Sequence, residues 1–248
     1  MALSRAAAPR PRNDPGQYDD LADQWWRPDG AFAMLHWLAA ARAGLIPPAG
    51  HPDALLVDLG CGAGLLAPHA ARLGYRHVGV DIGCTALALA REHGVLPVRA
   101  DAARVPLPDA VADVVCAGEI LEHVPDLPGT VAEACRVLRP GGTLVIDTIA
   151  ATRRARLVAV QIAERVPGAA PRGIHDPALF VDRAQLAAEC ARHGVRLTLR
   201  GLRPSLLGMA GFLARRRPAV RMLPSRSTAV LFQAYGTKAD RTEEREGS

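Results

Sequence analysis

The chain has 248 residues, of which 49% are hydrophobic and 4% aromatic, and it carries a formal net charge of +5 at pH 7. This length fits one α/β domain with a core built mainly from Ala, Leu and Val. The five cysteines are scattered and never form a C-x-x-C pair, which disfavours a disulfide scaffold or structural zinc. The chain opens with no apolar signal core, and no uncharged run reaches the roughly 18 residues that span a bilayer. We expect a cytoplasmic protein.

The two ends of the chain differ in composition from its middle. Residues 1–15 are rich in Ala, Pro and Arg, and residues 239–248 are densely charged, so both are expected to be disordered. Between them, residues 16–238 are expected to form a single domain. Residues 18–46 hold all three tryptophans and predict an N-terminal helical segment before the first strand.

From residue 55 onward, short apolar runs alternate with helical patterns. Strands are predicted over Leu55–Leu59, His77–Val80, Pro97–Ala100, Ala112–Ala117 and Thr143–Thr148, and helices over Leu65–Leu73, Thr85–His93 and Thr130–Leu138. This order predicts a doubly wound, mostly parallel sheet with its ligand at the carboxyl ends of the strands. Two later runs, Val195–Leu202 and Thr228–Ala234, add an antiparallel pair, for seven strands in all. The proline-punctuated segments 152–182 and 203–227 are expected to form a lid.

A glycine turn, Asp58-Leu59-Gly60-Cys61-Gly62-Ala63-Gly64, follows the first predicted strand. Glycines allow a sharp turn and let a ligand approach the main chain, while the next helix directs its free N–H groups at the same point. Asp81 ends the second predicted strand, so its carboxylate is expected beside the turn, where it can accept hydrogen bonds from two ribose hydroxyls. These two features predict a nucleoside site.

The spacing of the glycines narrows the choice of nucleoside. A dinucleotide fold has G-x-G-x-x-G and a phosphate loop has a lysine, whereas here G-x-G-x-G follows Asp58 without a lysine. An anion at this point disfavours phosphate and favours a cationic sulfonium or amino group. The pattern resembles that of class I S-adenosylmethionine (SAM) methyltransferases. Asp101 ends the third strand, where it can accept the adenine amine, with the Ala102 N–H beside it, or cap a helix.

Glu119, Glu122 and His123 follow the fourth strand at i, i+3 and i+4, so in a helical turn they share one face. Two carboxylates and an imidazole there predict a site for Mg²⁺, with Zn²⁺ or Mn²⁺ as alternatives. A metal would bind both oxygens of a catechol and stabilise its phenolate. Alternatively, His123 alone acts as a general base, or the residues only cap and orient a helix.

Two further residues are candidates. His175 lies in the predicted lid, where it either assists proton removal from an acceptor or serves as a hydrogen-bonding strut. Arg42 follows the tryptophan-rich segment, and its guanidinium fits the methionine carboxylate of SAM, although a solvated helix arginine has the same pattern.

The chain resembles the ubiquinone-biosynthesis O-methyltransferases, which methylate polyprenyl catechols and demethylubiquinol. The resemblance is carried by residues 18–30, the glycine turn, Asp81-Ile82-Gly83, residues 119–124 and 139–142, and the lid run Pro171–Asp176. It implies that Arg42, Gly60, Asp81 and Gly118 contact SAM and that Glu119, Glu122 and His123 are divalent-metal ligands. The full predicted cofactor site is Arg42, Asp58, Gly60, Gly62, Gly64, Asp81, Ile82, Asp101, Ala102 and Gly118.

The sequence therefore predicts a SAM-dependent O-methyltransferase that acts on a catechol or hydroquinone hydroxyl, with a polyprenyl head group as the expected acceptor. Alternatives are methylation of a phenolic secondary metabolite, or a SAM-binding protein without catalysis. The apolar, arginine-bearing residues 206–223 predict either peripheral contact with an anionic membrane or a lid packed on the core. Nucleic acid is not an expected partner, because the chain has no N/D-P-P-Y motif and no basic appended domain.

Overall fold

The computed structural model describes residues 10–166 and 168–240. Of the ends predicted to be disordered, 1–15 and 239–248, residues 1–9 and 241–248 lie outside this range. The strands are β1 Leu55–Leu59, β2 Arg76–Asp81, β3 Leu96–Arg99, β4 Ala112–Gly118, β5 Leu138–Ile149, β6 Thr198–Pro204, β7 Met222–Ser225 and β8 Leu231–Thr237. They form one eight-stranded sheet in the order β3-β2-β1-β4-β5-β8-β6-β7.

The sheet combines a parallel and an antiparallel part. Strands β1 to β5 pair in parallel, while β8 is antiparallel to β5 and β6, and β7 is antiparallel to β6. The doubly wound, mostly parallel α/β fold is confirmed, but the predicted number of seven strands is wrong. The additional strand is β7, whose four residues include Pro224. So short a segment shows no clear alternation of apolar and polar residues, which is why the sequence did not predict it. Proline is tolerated there because β7 is an edge strand.

The run Arg139-Pro140-Gly141-Gly142 has the proline and glycine pattern of a turn but lies inside a strand. β5 begins at Leu138, which pairs with Ala112, and the register then shifts between Ala112 and Val114. Gly141 in this irregularity has a φ of +70°. Glycine adopts that conformation without steric cost, so the local glycine and proline pattern of a turn can also be the pattern of a bulge.

Helices cover both faces of the sheet. They are α1 Gly16–Asp20, α2 Ala33–Ala43, α3 Ala67–Arg72, α4 Cys84–Glu92, α5 Leu127–Val137, α6 Arg153–Ala155, α7 Arg183–Arg192 and α8 Leu206–Leu213, with α6 continuing as a π-helical segment, Arg156–Ile162. In the part of the chain described, no helix is long and apolar enough to cross a membrane.

Neighbouring residues of the parallel strands are buried on opposite faces. Val57 and Val115 belong to one core cluster, whereas Leu56 and Val114 belong to another. Burial on both faces is typical of a parallel sheet that is covered by helices. Since the sheet faces are closed in this way, a ligand can approach only at the strand ends.

Candidate active site

A cavity of about 770 Å³ lies at the carboxyl ends of β1, β2 and β4. It brings together most of the residues predicted from the sequence. They are Arg42, Asp58, Gly60, Gly62, Asp81, Ile82, Asp101, Ala102, Gly118, Glu119, His123 and His175. Two predicted residues lie behind its wall: Gly64 packs on Ala90 and Val95 of the α4 region, and Glu122 is fully buried.

The glycine turn fixes the carboxylate of Asp81. Gly60 and Gly62 have φ angles of +66° and +50°, which other residues rarely adopt. The Gly62 N–H donates to one Asp81 oxygen at 2.9 Å, and the Gly83 N–H donates to the other at 2.8 Å. Burial raises the pKa of Asp81, while these N–H groups oppose the rise. Both oxygens are therefore held at the end of β2, facing the cavity.

The N-terminal segment forms one wall of the cavity through its aromatic rings. Trp25 stacks on Phe32, with ring centroids 4.2 Å apart, and on Tyr18, with centroids 5.7 Å apart. A Cβ atom at Gly62 would lie 2.7 Å from the Trp25 ring, so this glycine is needed for the contact. The aromatic residues and the glycine turn therefore fit together as one unit.

Arg42 is buried among two carboxylates. Its Nε lies 3.1 Å from both carboxylate oxygens of Asp147, and a terminal nitrogen lies 4.0 Å from Asp58. Burial disfavours the charged form of Arg42, but Asp147 and Asp58 raise its pKa. The guanidinium therefore stays charged. It lies against the main chain at Gly118, where a Cβ atom would be only 1.8 Å from Arg42 Cζ.

Glu119 and Glu122 are two buried carboxyl groups whose charges repel each other. Glu119 has a φ of +53°, an unusual conformation for a non-glycine residue at the end of a strand. Burial and the neighbouring Glu122 raise the pKa of Glu119 well above its usual range. Thr148 donates a hydrogen bond to Glu122 at 2.7 Å, and one oxygen of each glutamate is buried without a hydrogen-bond partner. The pair therefore favours holding a proton.

The three predicted metal ligands are not arranged as one set. Across residues 10–166 and 168–240, no three His, Cys, Asp or Glu side chains are grouped so that they could hold a metal ion. The ring of His123 is directed elsewhere: its Nδ1 lies 2.5 Å from the amide oxygen of Asn13, and its Nε2 lies 3.4 Å from the Tyr18 hydroxyl. The two carboxylates alone fit part of a cation site.

Asn13 determines which nitrogen of His123 carries the proton. Its amide nitrogen donates to the His123 carbonyl at 3.0 Å, which turns its amide oxygen toward Nδ1. An amide oxygen only accepts, so Nδ1 is protonated and Nε2 keeps its lone pair. Burial, with a smaller effect of His175, lowers the pKa of His123 to about 3. Its Nε2 is therefore a neutral acceptor at physiological pH.

His175 lies next to His123 and is tied to the lid. The two imidazole rings are stacked, with centroids 5.6 Å apart, and His175 Nδ1 lies 3.7 Å from Glu164. Arg12 donates to both oxygens of Glu164 and to the His175 carbonyl. Burial opposes the charged form, but the nearby His175 and hydrogen bonds from Arg12 and Gly173 lower the pKa of Glu164 to about 2. The backbone of His175 is therefore held by Arg12, while its ring packs on His123.

Asp101 and the two predicted lid segments complete the wall. The Asp101 carboxylate accepts from the Ala103 N–H at 2.9 Å, which caps a turn and leaves the side chain on the cavity. From the lid segments, Ile162 and Val158 in the π-helical stretch and Met209 in α8 line the remaining wall. This part of the cavity is apolar.

Two important residues were not predicted. Asn13 lies in the segment for which the composition predicts disorder, and no local pattern distinguishes it. Asp147 does leave a signal, since it is a single acid inside the apolar run of β5 and is almost fully buried. Buried carboxylates are rare unless they are paired, so this position indicates a cationic partner.

Residues 57–146 match the methyltransferase domain family. The ubiquinone biosynthesis O-methyltransferase of Cupriavidus pinatubonensis is 37% identical over 77% of this chain and 82% of its own length. That of Ralstonia nicotianae is 38% identical over 76% of this chain and 84% of its own. The chain belongs to the ubiquinone biosynthesis O-methyltransferase family. It is thus a SAM-dependent methyltransferase, as the glycine turn and Asp81 predict.

Solved structures agree on the fold of this family member. A SAM-dependent methyltransferase of Thermotoga maritima superimposes with a TM-score of 0.61 at 19% identity, over 90% of this chain and 96% of that one. A chain from the complex of the Haloferax volcanii Trm112 methyltransferase activator with a putative methyltransferase gives a TM-score of 0.59 at 18% identity, over 94% of this chain and 100% of the other. The shared architecture is the class I methyltransferase fold.

Replacing Gly118 should disrupt the cofactor end of the cavity. In Gly118→Ala, the new methyl group would displace the Arg42 guanidinium, so we expect SAM to bind at least ~10-fold more weakly. Isothermal titration calorimetry measures this, with circular dichroism to confirm folding. Gly50→Ala is the matched control, because a Cβ atom there meets nothing within 4 Å. Unchanged SAM affinity in Gly118→Ala would contradict the importance of this contact.

Proposed function

We propose that this protein transfers the methyl group of SAM to a hydroxyl of a catechol or hydroquinone head group, as found in polyprenylated quinone precursors. The observation that carries the proposal is one cavity that holds Asp81 and the glycine turn together with the neutral Nε2 of His123. The relatives' name, ubiquinone biosynthesis O-methyltransferase, supports this class of acceptor.

The charged groups of the cavity fit the functional groups of SAM. Asp81, with both oxygens fixed, would accept hydrogen bonds from the ribose hydroxyls. Arg42 would bind the methionine carboxylate. Asp58 has a buried oxygen without a hydrogen-bond partner, which fits the ammonium group. Asp101 and Ala102 would lie beside the adenine. SAM, when bound, supplies an electrophilic methyl group.

His123 would take the proton of the acceptor hydroxyl. Its Nε2 faces Tyr18, whose hydroxyl occupies the position of a hydrogen-bond donor at 3.4 Å. A phenolic hydroxyl in that place would donate to the same nitrogen and lose its proton to it as the oxygen attacks the methyl carbon of SAM. The bond between that carbon and sulfur would break, which leaves S-adenosylhomocysteine. The protein would otherwise mainly align the two reactants. His175, stacked on His123, would hold the ring rather than react.

The apolar wall fits a hydrophobic tail. Val158, Ile162, Met209 and Leu213 line the cavity from the two lid segments, and Leu213 and Ile162 are also half-exposed. A prenyl chain attached to the head group could therefore run from the cavity to the surface along these side chains. The lid segments would then select the acceptor.

Glu119 and Glu122 fit two ligands of a divalent cation, but His123 does not complete the set as a third. A cation such as Mg²⁺ would stabilise a phenolate oxygen if it were bound there. The ring nitrogens of His123 are directed at Asn13 and Tyr18 instead. We therefore assign proton removal to His123 and expect catalysis without added metal.

The first experiment measures methyl transfer from labelled SAM to a short-chain polyprenyl catechol, with EDTA or with added Mg²⁺. We expect a labelled product whose rate is preserved in EDTA. Loss of turnover in EDTA and its recovery with Mg²⁺ would overturn the metal-free assignment. Turnover with simple phenols alone would identify an enzyme of phenolic secondary metabolism. SAM binding without turnover on any phenol would identify a non-catalytic SAM-binding protein.

A substitution of His123 tests the base. His123→Gln should lower kcat by about 10²- to 10⁴-fold and leave SAM affinity within about twofold, because the side chain acts on the acceptor. His51→Gln, at an exposed surface histidine, is the control. Since the pKa of His123 is lowered to about 3, wild-type kcat/KM should not fall between pH 8 and about pH 6. A loss of activity centred near pH 6.5 would contradict this assignment.

We further propose that α8 lies on an anionic membrane surface from which the acceptor is drawn. Leu206 and Leu207 are 77% and 86% exposed, and residues 215–217, just after α8, are three arginines. An apolar patch beside a cationic run is typical of peripheral attachment to acidic lipids.

Vesicle sedimentation tests the attachment. We expect the protein to bind phosphatidylcholine vesicles that contain phosphatidylglycerol, and the double variant Leu206→Ser/Leu207→Ser to bind at least ~5-fold more weakly. Leu96→Ser is the control, because Leu96 is 48% exposed on β3 at the opposite edge of the sheet. Equal binding by all three proteins would rule the surface out.

A further inference from the structure

Asp147 is a charged group at the cofactor end of the site to which the proposed reaction gives no role. Its side chain is almost fully buried on β5, and it is not among the residues that line the cavity. The only cation close to its carboxylate within residues 10–166 and 168–240 is Arg42, whose Nε donates to both oxygens at 3.1 Å. Arg42 is therefore the group through which Asp147 can position a ligand.

The contact with Asp147 constrains the guanidinium of Arg42 at its Nε atom. Asp147 engages Nε, whereas a terminal nitrogen is 4.0 Å from Asp58, too far for a hydrogen bond. The guanidinium also lies against the main chain at Gly118. The terminal nitrogens are consequently left to a ligand, and Arg42 itself lines the cavity. A planar guanidinium that is fixed at Nε can present these nitrogens as a fork to a carboxylate.

The strand around Asp147 is itself fixed. Asp147 pairs in register with Gly118 on β4 and with Gln233 on β8, and its carbonyl accepts the Glu119 N–H at 2.8 Å. Arg200 donates to the side-chain oxygen of Gln233 at 2.8 and 3.0 Å, which orders the neighbouring strand. The Asp147 carboxylate is therefore a rigid support for a long and otherwise flexible side chain.

We propose that Asp147 is a positioning residue that orients Arg42 for the methionine carboxylate of SAM. This inference rests on the proposed function, because it takes SAM as the ligand of Arg42. It differs from a direct attraction between Asp147 and the positive sulfonium of SAM. S-Adenosylhomocysteine distinguishes these two explanations, because it keeps the carboxylate but lacks the methyl group and the sulfonium charge.

Binding measurements on the full chain test the proposal. Asp147→Asn should weaken binding of SAM and of S-adenosylhomocysteine by the same factor, about tenfold or more, in isothermal titration calorimetry. In turnover, the KM for SAM should rise by that factor while kcat stays within about twofold. The matched control is Asp113→Asn, because Asp113 also pairs with an arginine, Arg139, and is not a cavity-lining residue.

The two failures can be told apart. If wild-type protein binds neither compound, the proposed function fails; if wild type binds both and Asp147→Asn binds them equally well, only the positioning role fails. Weaker binding of SAM alone, with unchanged binding of S-adenosylhomocysteine, would also overturn the positioning role and would favour direct attraction to the sulfonium.

A double variant covers the possibility that Asp147→Asn does not fold. Arg42→Gln/Asp147→Asn removes both charges of the pair, and Asp58, the other carboxylate near Arg42, still lies 3.5 Å from His77, so we expect this variant to fold. If Asp147 acts only through Arg42, the double variant should bind SAM and S-adenosylhomocysteine as weakly as Arg42→Gln alone. A further loss in the double variant would overturn the proposal.

Discussion

The buried guanidinium of Arg42 connects the N-terminal segment to the sheet. Arg42 belongs to α2, whereas its two carboxylate partners belong to β1 and β5. Removing such a charge from water costs several kcal/mol unless partners compensate it, so α2 can pack only where both carboxylates are within reach. Trp37 of α2 then packs edge-on against Phe212 of α8 and so determines where one lid segment lies. The position of the cavity wall thus follows from one ion pair.

Desolvation sets the protonation states around the cavity. It raises the pKa of Asp81 and Glu119 and lowers that of His123, so each group moves toward its neutral form. Arg42 is the exception, because Asp147 and Asp58 keep it charged. The neutral imidazole of His123 can accept a proton from the acceptor hydroxyl, and the charged guanidinium of Arg42 can bind a carboxylate. The proposed reaction needs both groups.

The sequence was most informative where backbone geometry demands particular residues. The glycine turn and Asp81 lie together as expected, because positive φ angles and close approach of main chains restrict these positions to glycine. Strand boundaries were predicted to within one residue for β1 to β4, whereas β5 begins five residues before its predicted start. What failed depends on contacts between distant parts of the chain: Asn13 has meaning only beside His123, which is 110 residues away. The spacing of Glu119, Glu122 and His123 likewise predicted a shared face that the left-handed Glu119 removes.

The contacts that assemble the site join residues far apart in the sequence, and this affects how the protein folds during synthesis. Arg42 and Asp147 are 105 residues apart, and Asn13 and His123 are 110 apart. Closing such long loops is entropically costly and slow, so these contacts are expected to form late in folding. During synthesis on the ribosome, the N-terminal wall emerges first but has no partner until β5 has left the exit tunnel. An incomplete nascent chain therefore has no assembled cofactor site and cannot sequester SAM.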